Sequence, residues 1–145
     1  MRRSPKAARL PRVCSPTTTP ALYDLLVRAV WAERVPAGEK DSKPLPDRWS
    51  YADGLLPLPP MVGAKALAKA MMEALTGLDA DSKARDLHML DNGRGGTGPR
   101  LGEWGHPIWR SRIGAGKGAP TLLYTRDDQG GIVFLHAGHH DDWLL

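Results

Sequence analysis

The stretch WRSRIGAGKGAPTLLYTRDDQGGIVFLHAGHHDD, Trp109 to Asp142, decides how this chain is read. Three runs, WRSRI, TLLYTR and IVFLHAG, have the length and the β-branched and aromatic content of short strands, and residues that favour turns separate them. Successive side chains of a strand point to opposite faces. Trp109, Ser111 and Ile113 are therefore expected on one side of the first strand, with Arg110 and Arg112 together on the other. In the second, Leu122, Tyr124 and Arg126 share a face. In the third, Ile132, Phe134 and His136 lie opposite Val133, Leu135 and Ala137, so both faces are largely apolar and the strand is central. Asp127-Asp128-Gln129-Gly130-Gly131 reads as a hairpin loop whose glycines accept positive φ. Consecutive antiparallel pairing is then the simplest topology.

Upstream of the strands the period changes from two to 3.6. Between Val62 and Leu78, Leu67, Met71, Ala74, Leu75 and Leu78 form one apolar stripe, with Gly77 near the end. Asp79 or Asp81 is placed to cap a second helix with Ala84, Leu87 and Leu90 on its buried edge and Asn92-Gly93 as the stop. Further back, Trp49 and Tyr51 alternate with polar neighbours in DRWSYAD, a strand that the proline-rich LLPLPPM cannot continue. The expected order is strand, helix, helix and three strands. The expected fold is α+β, a helical hairpin packed on a small antiparallel β-sheet over residues 47–145.

Residues 1–46 read as a basic, proline-rich N-terminal extension. It contains one helix, about 21–35, with Leu22, Leu25, Leu26, Ala29 and Val30 on one face between Pro20 and Pro36. The first dozen residues and AGEKDSKPLP read as unstructured. An amphipathic helix of this kind docks on the main domain, occupies a groove meant for a partner's helix, or makes a homodimer.

The chain has 145 residues, a single cysteine (Cys14) and a net charge of +4. The lone cysteine leaves no internal disulfide to form and gives no argument for secretion. No apolar run approaches the roughly 20 residues of a membrane span, and no hydrophobic segment follows the basic N-terminus. The reading is a cytoplasmic protein with no membrane association. Charge is unevenly distributed: residues 1–46 carry nine Lys/Arg against four Asp/Glu, and the remainder eleven against twelve. Within that nearly neutral remainder, Arg94, Arg100, Arg110, Arg112, Lys117 and Arg126 face a single acid, Glu103, between positions 94 and 126. A basic patch on a sheet suits a polyanion.

The side chains with chemistry follow from this layout. Arg110 and Arg112 offer two guanidinium groups to one anion, in a fork geometry that matches phosphate. Arg100, Lys117 in its glycine-rich loop, and Arg126 are placed to follow a nucleic-acid backbone. His136, His139 and His140, with Asp141 and Asp142, include zinc-ligand types, but five candidates within seven residues cannot all converge, so neither metal nor other cofactor is expected. GAGKG lacks the Ser/Thr and following helix of a nucleotide-binding loop.

The order of elements, together with HPIWRSRIGAGKGAPTLLYTRDDQGGIVFLHAGHHDD, resembles the RelE/ParE superfamily of bacterial and phage toxins, and its RelE-like and HigB-like branches most. The residues that carry the resemblance are Trp109 and Arg112 followed by Ile113-Gly114, the strand ending Leu123-Tyr124, the acidic-glycine hairpin, and Phe134-Leu135-His136. DADSKARDLHML and GPRLGE fit the same layout, and the likeness covers about residues 47–145. It implies a toxin of a toxin–antitoxin pair, neutralised by a cognate antitoxin protein. In the RelE-like branch such a toxin enters the ribosome and cuts mRNA without a metal, arresting growth; in the ParE-like branch it inhibits DNA gyrase and cuts nothing.

By this resemblance Arg112 occupies the position of a phosphate-binding arginine, Tyr124 that of an aromatic at the end of the third strand, and His139 and His140 the region of proton transfer. Arg100, Arg110, Lys117 and Arg126 would bind RNA. The chemistry is self-consistent: a ribose 2′-hydroxyl attacks its own phosphate once a proton is removed, and arginine stabilises the resulting dianion. The chain departs from the pattern at Thr121, where the family carries an arginine, at Ser111, usually aliphatic, and at Trp143-Leu144-Leu145, where many relatives end in tyrosine. An inactive RelE-like binding module is the outcome if catalysis depends on those groups.

Overall fold

In the computed structural model, residues 20–55, 62–91, 98–114 and 118–139 are described. They form an α+β fold with two α-helices and one five-stranded mixed sheet. Helix α1 spans Pro20–Arg34 and α2 spans Ala64–Thr76. The strands are β1 (Ser50–Tyr51), β2 (His88–Met89), β3 (Trp109–Arg112), β4 (Thr121–Arg126) and β5 (Ile132–Gly138), in the spatial order β1-β5-β4-β3-β2.

The three strands of the Trp109–Gly138 region pair antiparallel, as their alternation predicts. The sheet as a whole is not antiparallel, however. β1 runs parallel to β5, with Ser50 opposite Val133 and Tyr51 opposite Phe134. A strand of two residues does not determine its own direction. Here the Tyr51 ring packs 5.8 Å from that of Phe134, and the Ala52 amide extends the ladder by bonding the Phe134 carbonyl at 2.8 Å.

The helix expected after Gly77 does not form. Gly77 ends α2 in the left-handed conformation (φ 84°), which only glycine adopts without cost, and two 3₁₀ turns follow, Leu78–Asp81 and Lys83–Arg85. The physical reason is that the side chains of this segment are committed elsewhere. Asp79 bonds Tyr124, Arg85 turns inward to Glu73, and Asp86 takes positive φ (47°). Asp and Ser also compete with helical backbone bonds.

Helix α1 packs beside α2 instead. Although its sequence sits in the basic extension, Tyr23, Val27 and Val30 are buried in the same cluster as Leu67, Met71, Leu122 and Phe134. It is anchored to β1 by a hydrogen-bond relay in which Trp49 Nε1 donates to the Tyr51 hydroxyl (3.0 Å) and that hydroxyl donates to Asp24 (2.8 Å). Segment 37–46, read as unstructured, is ordered here. Ala37–Glu39 make a 3₁₀ turn, Trp31 Nε1 donates to the Lys43 carbonyl at 2.8 Å, and Leu45 packs on the core.

Both helices lie over one face of the sheet. The opposite face carries a smaller cluster, Leu90, Ile108 and Leu123 with Leu135, held by the chain around 99–108. Gly102 comes so close to Thr125 there that a β-carbon would lie 2.9 Å from Oγ1, and Thr125 donates to the Pro107 carbonyl at 2.9 Å. Among the described residues no helix is long and apolar enough to cross a membrane.

Candidate functional site

Strand register decides which polar side chains share a face. Trp109 stands opposite Tyr124, Arg110 opposite Leu123, Ser111 opposite Leu122 and Arg112 opposite Thr121. Cross-strand partners point to the same side. Trp109, Ser111, Leu122 and Tyr124 therefore face the helices, while Arg110, Arg112, Leu123 and Thr121 face away.

A register shift between Leu123 and Tyr124 changes the reading of β5. Simple alternation puts His136 with Ile132 and Phe134, but β5 holds one extra residue at this point, so Leu123 pairs with His136 and Tyr124 with Phe134. Ala137 then enters the helix-side core, Leu135 joins the smaller cluster, and His136 turns to the helix-free face. The result is one row across four strands, His88–Arg110–Leu123–His136.

At the β2 end of this row the contacts are defined. The Arg110 guanidinium lies 3.2 Å from His88 Nε2, and His88 Nδ1 lies 2.7 Å from the Asp86 carbonyl oxygen. A carbonyl only accepts and a guanidinium only donates. The two neighbours therefore select the neutral imidazole with its proton on Nδ1 and a lone pair on Nε2. Asp86 also engages the second arginine, its carboxylate standing 3.6 Å from Arg112 Nη2. Beneath them Arg85 is buried, bonded by Glu73 at 3.0 and 2.8 Å, and its Nη1 donates to the carbonyls of Arg112 (2.9 Å) and Ile113 (3.0 Å). That clamp fixes the end of β3, from which Arg112 projects.

The other expected site residues lie elsewhere or are only partly defined. Tyr124 is on the helix side, 5 % exposed, with its hydroxyl donated to Asp79 at 2.5 Å. Burial and the Asp79 carboxylate push that hydroxyl's pKa far above its usual range. Asp79, 2 % exposed, is raised in turn by burial, against the hydrogen bond from Tyr124. Arg126 follows Tyr124 on the helix side, at the exposed end of β4, and donates to the Gly130 carbonyl at 2.8 Å. The structure therefore brings Arg110 and Arg112 together and separates them from Tyr124 and Arg126. Arg100 is half-buried, its backbone bridging Leu90 and Ile108, and His139 is half-buried just past β5. Lys117 and His140 lie outside the described residues, as do Asp141 and Asp142.

The sequence reading missed His88 because it assigned Leu87 and Leu90 to a helix. The available signal was the density of Asp and Ser from 79 to 86, which disfavours a helix interior and leaves His88-Met89 free to extend the sheet.

On its other side the Lys83–Asp86 turn borders a cleft of about 680 Å³ lined by Asp79, Asp81, Ser82, Lys83, Leu87 and Trp109. Among the described residues no three His, Cys, Asp or Glu side chains cluster in a way that could hold a metal ion. The chain matches no protein-family model, no curated protein and no solved structure.

Proposed function

We propose that this chain is a RelE-like toxin that binds RNA on the helix-free face of its sheet and cleaves it as a metal-independent endoribonuclease during translation. The observation that carries the reading is the shared face: Arg110 and Arg112 emerge side by side from β3, with the exposed imidazole of His88 beside Arg110. Two guanidinium groups hold a phosphate and its developing charge, and an imidazole transfers a proton near neutral pH. In this reading α1 and α2 together take the place of the toxin's helical pair, the cell's ribosome and messenger are the targets, and a cognate antitoxin covers the basic face.

The test is expression from a tightly controlled promoter, with and without the neighbouring reading frame, followed by mapping of messenger 5′ ends. The reading expects growth arrest relieved by the neighbour and new 5′ ends within translated messages. Normal growth with intact messages at verified protein levels refutes it.

A second reading is a module that binds without cutting, either a ParE-like gyrase inhibitor or an inactive RelE-like relative. What favours it is the engagement of Arg112 with Asp86 and of Tyr124 with Asp79. Toxicity without any new messenger ends, with gyrase activity falling, identifies the ParE-like inhibitor, and absence of toxicity at verified protein levels identifies the inactive relative.

A further inference from the structure

We infer that His88 is the general base of the site, its Nε2 removing the proton from the attacking ribose hydroxyl. The inference rests on the ribonuclease reading above and adds to it the identity of the proton acceptor. Three features single out His88. Its ring is exposed on the edge strand β2, open to a substrate lying on the helix-free face. The Asp86 carbonyl, 2.7 Å from Nδ1, fixes the ring's orientation and its tautomer. The basic nitrogen points at Arg110, 3.2 Å away, so any phosphate bound by that guanidinium sits beside the lone pair. His136, by contrast, is half-buried two strands from Arg110, about 10 Å at the usual strand spacing.

The resting contact also has a chemical logic. Arg110 occupies Nε2 until an anion arrives, and a phosphate is a stronger acceptor for its N–H groups than neutral imidazole. When Arg110 turns to the phosphate, Nε2 becomes available to the adjacent 2′-hydroxyl. The proton passes from that hydroxyl to Nε2, the 2′-oxygen forms a bond to phosphorus, and the bond from phosphorus to the 5′-oxygen breaks. The leaving oxygen takes a proton from solvent, and His88 later returns its proton to solvent. The products are a 2′,3′-cyclic phosphate and a 5′-hydroxyl, with no water consumed and no redox change.

The experiment compares the full-length chain with His88→Ala and His88→Gln on messenger-programmed ribosomes, alongside binding of a short single-stranded RNA. The expected result is cleavage slowed about 10²- to 10⁴-fold in both variants, with RNA affinity retained and the cleavage of His88→Ala restored by added imidazole. Glutamine preserves polarity and size but cannot accept the proton, which separates chemistry from shape. A wild-type protein that cuts, with His88→Ala cutting at a comparable rate, overturns this inference and leaves the ribonuclease reading standing. Slowed cleavage that follows lost RNA affinity and does not respond to imidazole also overturns it. A wild-type protein that never cuts overturns both.

Discussion

The hydroxyl of Tyr124 donates to Oδ2 of Asp79 at 2.5 Å, joining the central strand β4 to the 3₁₀ turn that follows α2. Both groups are buried, so the bond cannot be exchanged for water without cost. It explains why the chain leaves helical geometry after Gly77: the carboxylate that would cap a second helix is committed to the sheet. Tyr124→Phe leaves that buried carboxylate with backbone donors alone and is expected to destabilise the fold by about 1–3 kcal/mol, measured by urea denaturation.

The same pair sets a pH dependence. Burial raises the pKa of Asp79 above the usual 3.8, so the folded state holds this proton more tightly than the unfolded chain. The contribution of Asp79 is then most favourable below the ordinary carboxylate pKa and declines as pH rises through the raised value. Asp79→Asn keeps an acceptor for Tyr124 and removes the charge. The stability of this variant relative to wild type is expected to increase from acidic to neutral pH. A constant difference across that range disproves the assignment.

Arg85 and Glu73 form a buried, two-point ion pair, and Arg85 also satisfies the carbonyls of Arg112 and Ile113. Removing one partner leaves the other charge uncompensated. Arg85→Met is expected to cost about 3–5 kcal/mol, and adding Glu73→Leu to recover part of that loss, because the pair's desolvation cost disappears with it. Strict additivity in denaturation experiments excludes such coupling.

The strands from Trp109 to Gly138 were legible because their periodicity and turn chemistry are local. Facing was legible only as far as the extra residue near Leu135. The bulge depends on which β4 residue each β5 residue meets, and alternation along one strand does not contain that information. The direction of β1 was hidden for the same reason, since two residues acquire their pairing from Phe134, far along the chain. The helix 20–34 was visible from its apolar content between two prolines, but its buried face was not: Tyr23, Val27 and Val30 point inward while Leu25 and Ala29 of the expected stripe are exposed, because the face is set by packing beside α2 and by contacts such as Tyr51 to Asp24. The arginine pair could be read from spacing. His88 was missed because its place depends on the turn at Asp86, which a helix over this segment erases despite the Asp and Ser that argue against one.

Asp86 offers the last prediction because its backbone and its charge can be separated. Among the described residues it is the one non-glycine residue at positive φ, and its carbonyl orients His88 while its carboxylate pairs with Arg112. Asparagine also tolerates the left-handed conformation. Asp86→Asn therefore preserves the turn and the imidazole while releasing Arg112 from its counter-ion. If RNA phosphate competes with Asp86 for that guanidinium, the variant binds single-stranded RNA about two- to fivefold more tightly, the range expected for an exposed ion pair, with the gain shrinking as salt rises. Asp86→Ala removes the charge but disfavours the turn, so it should lose stability that Asp86→Asn retains. Unchanged RNA affinity in Asp86→Asn means that Arg112 does not contact the bound phosphate.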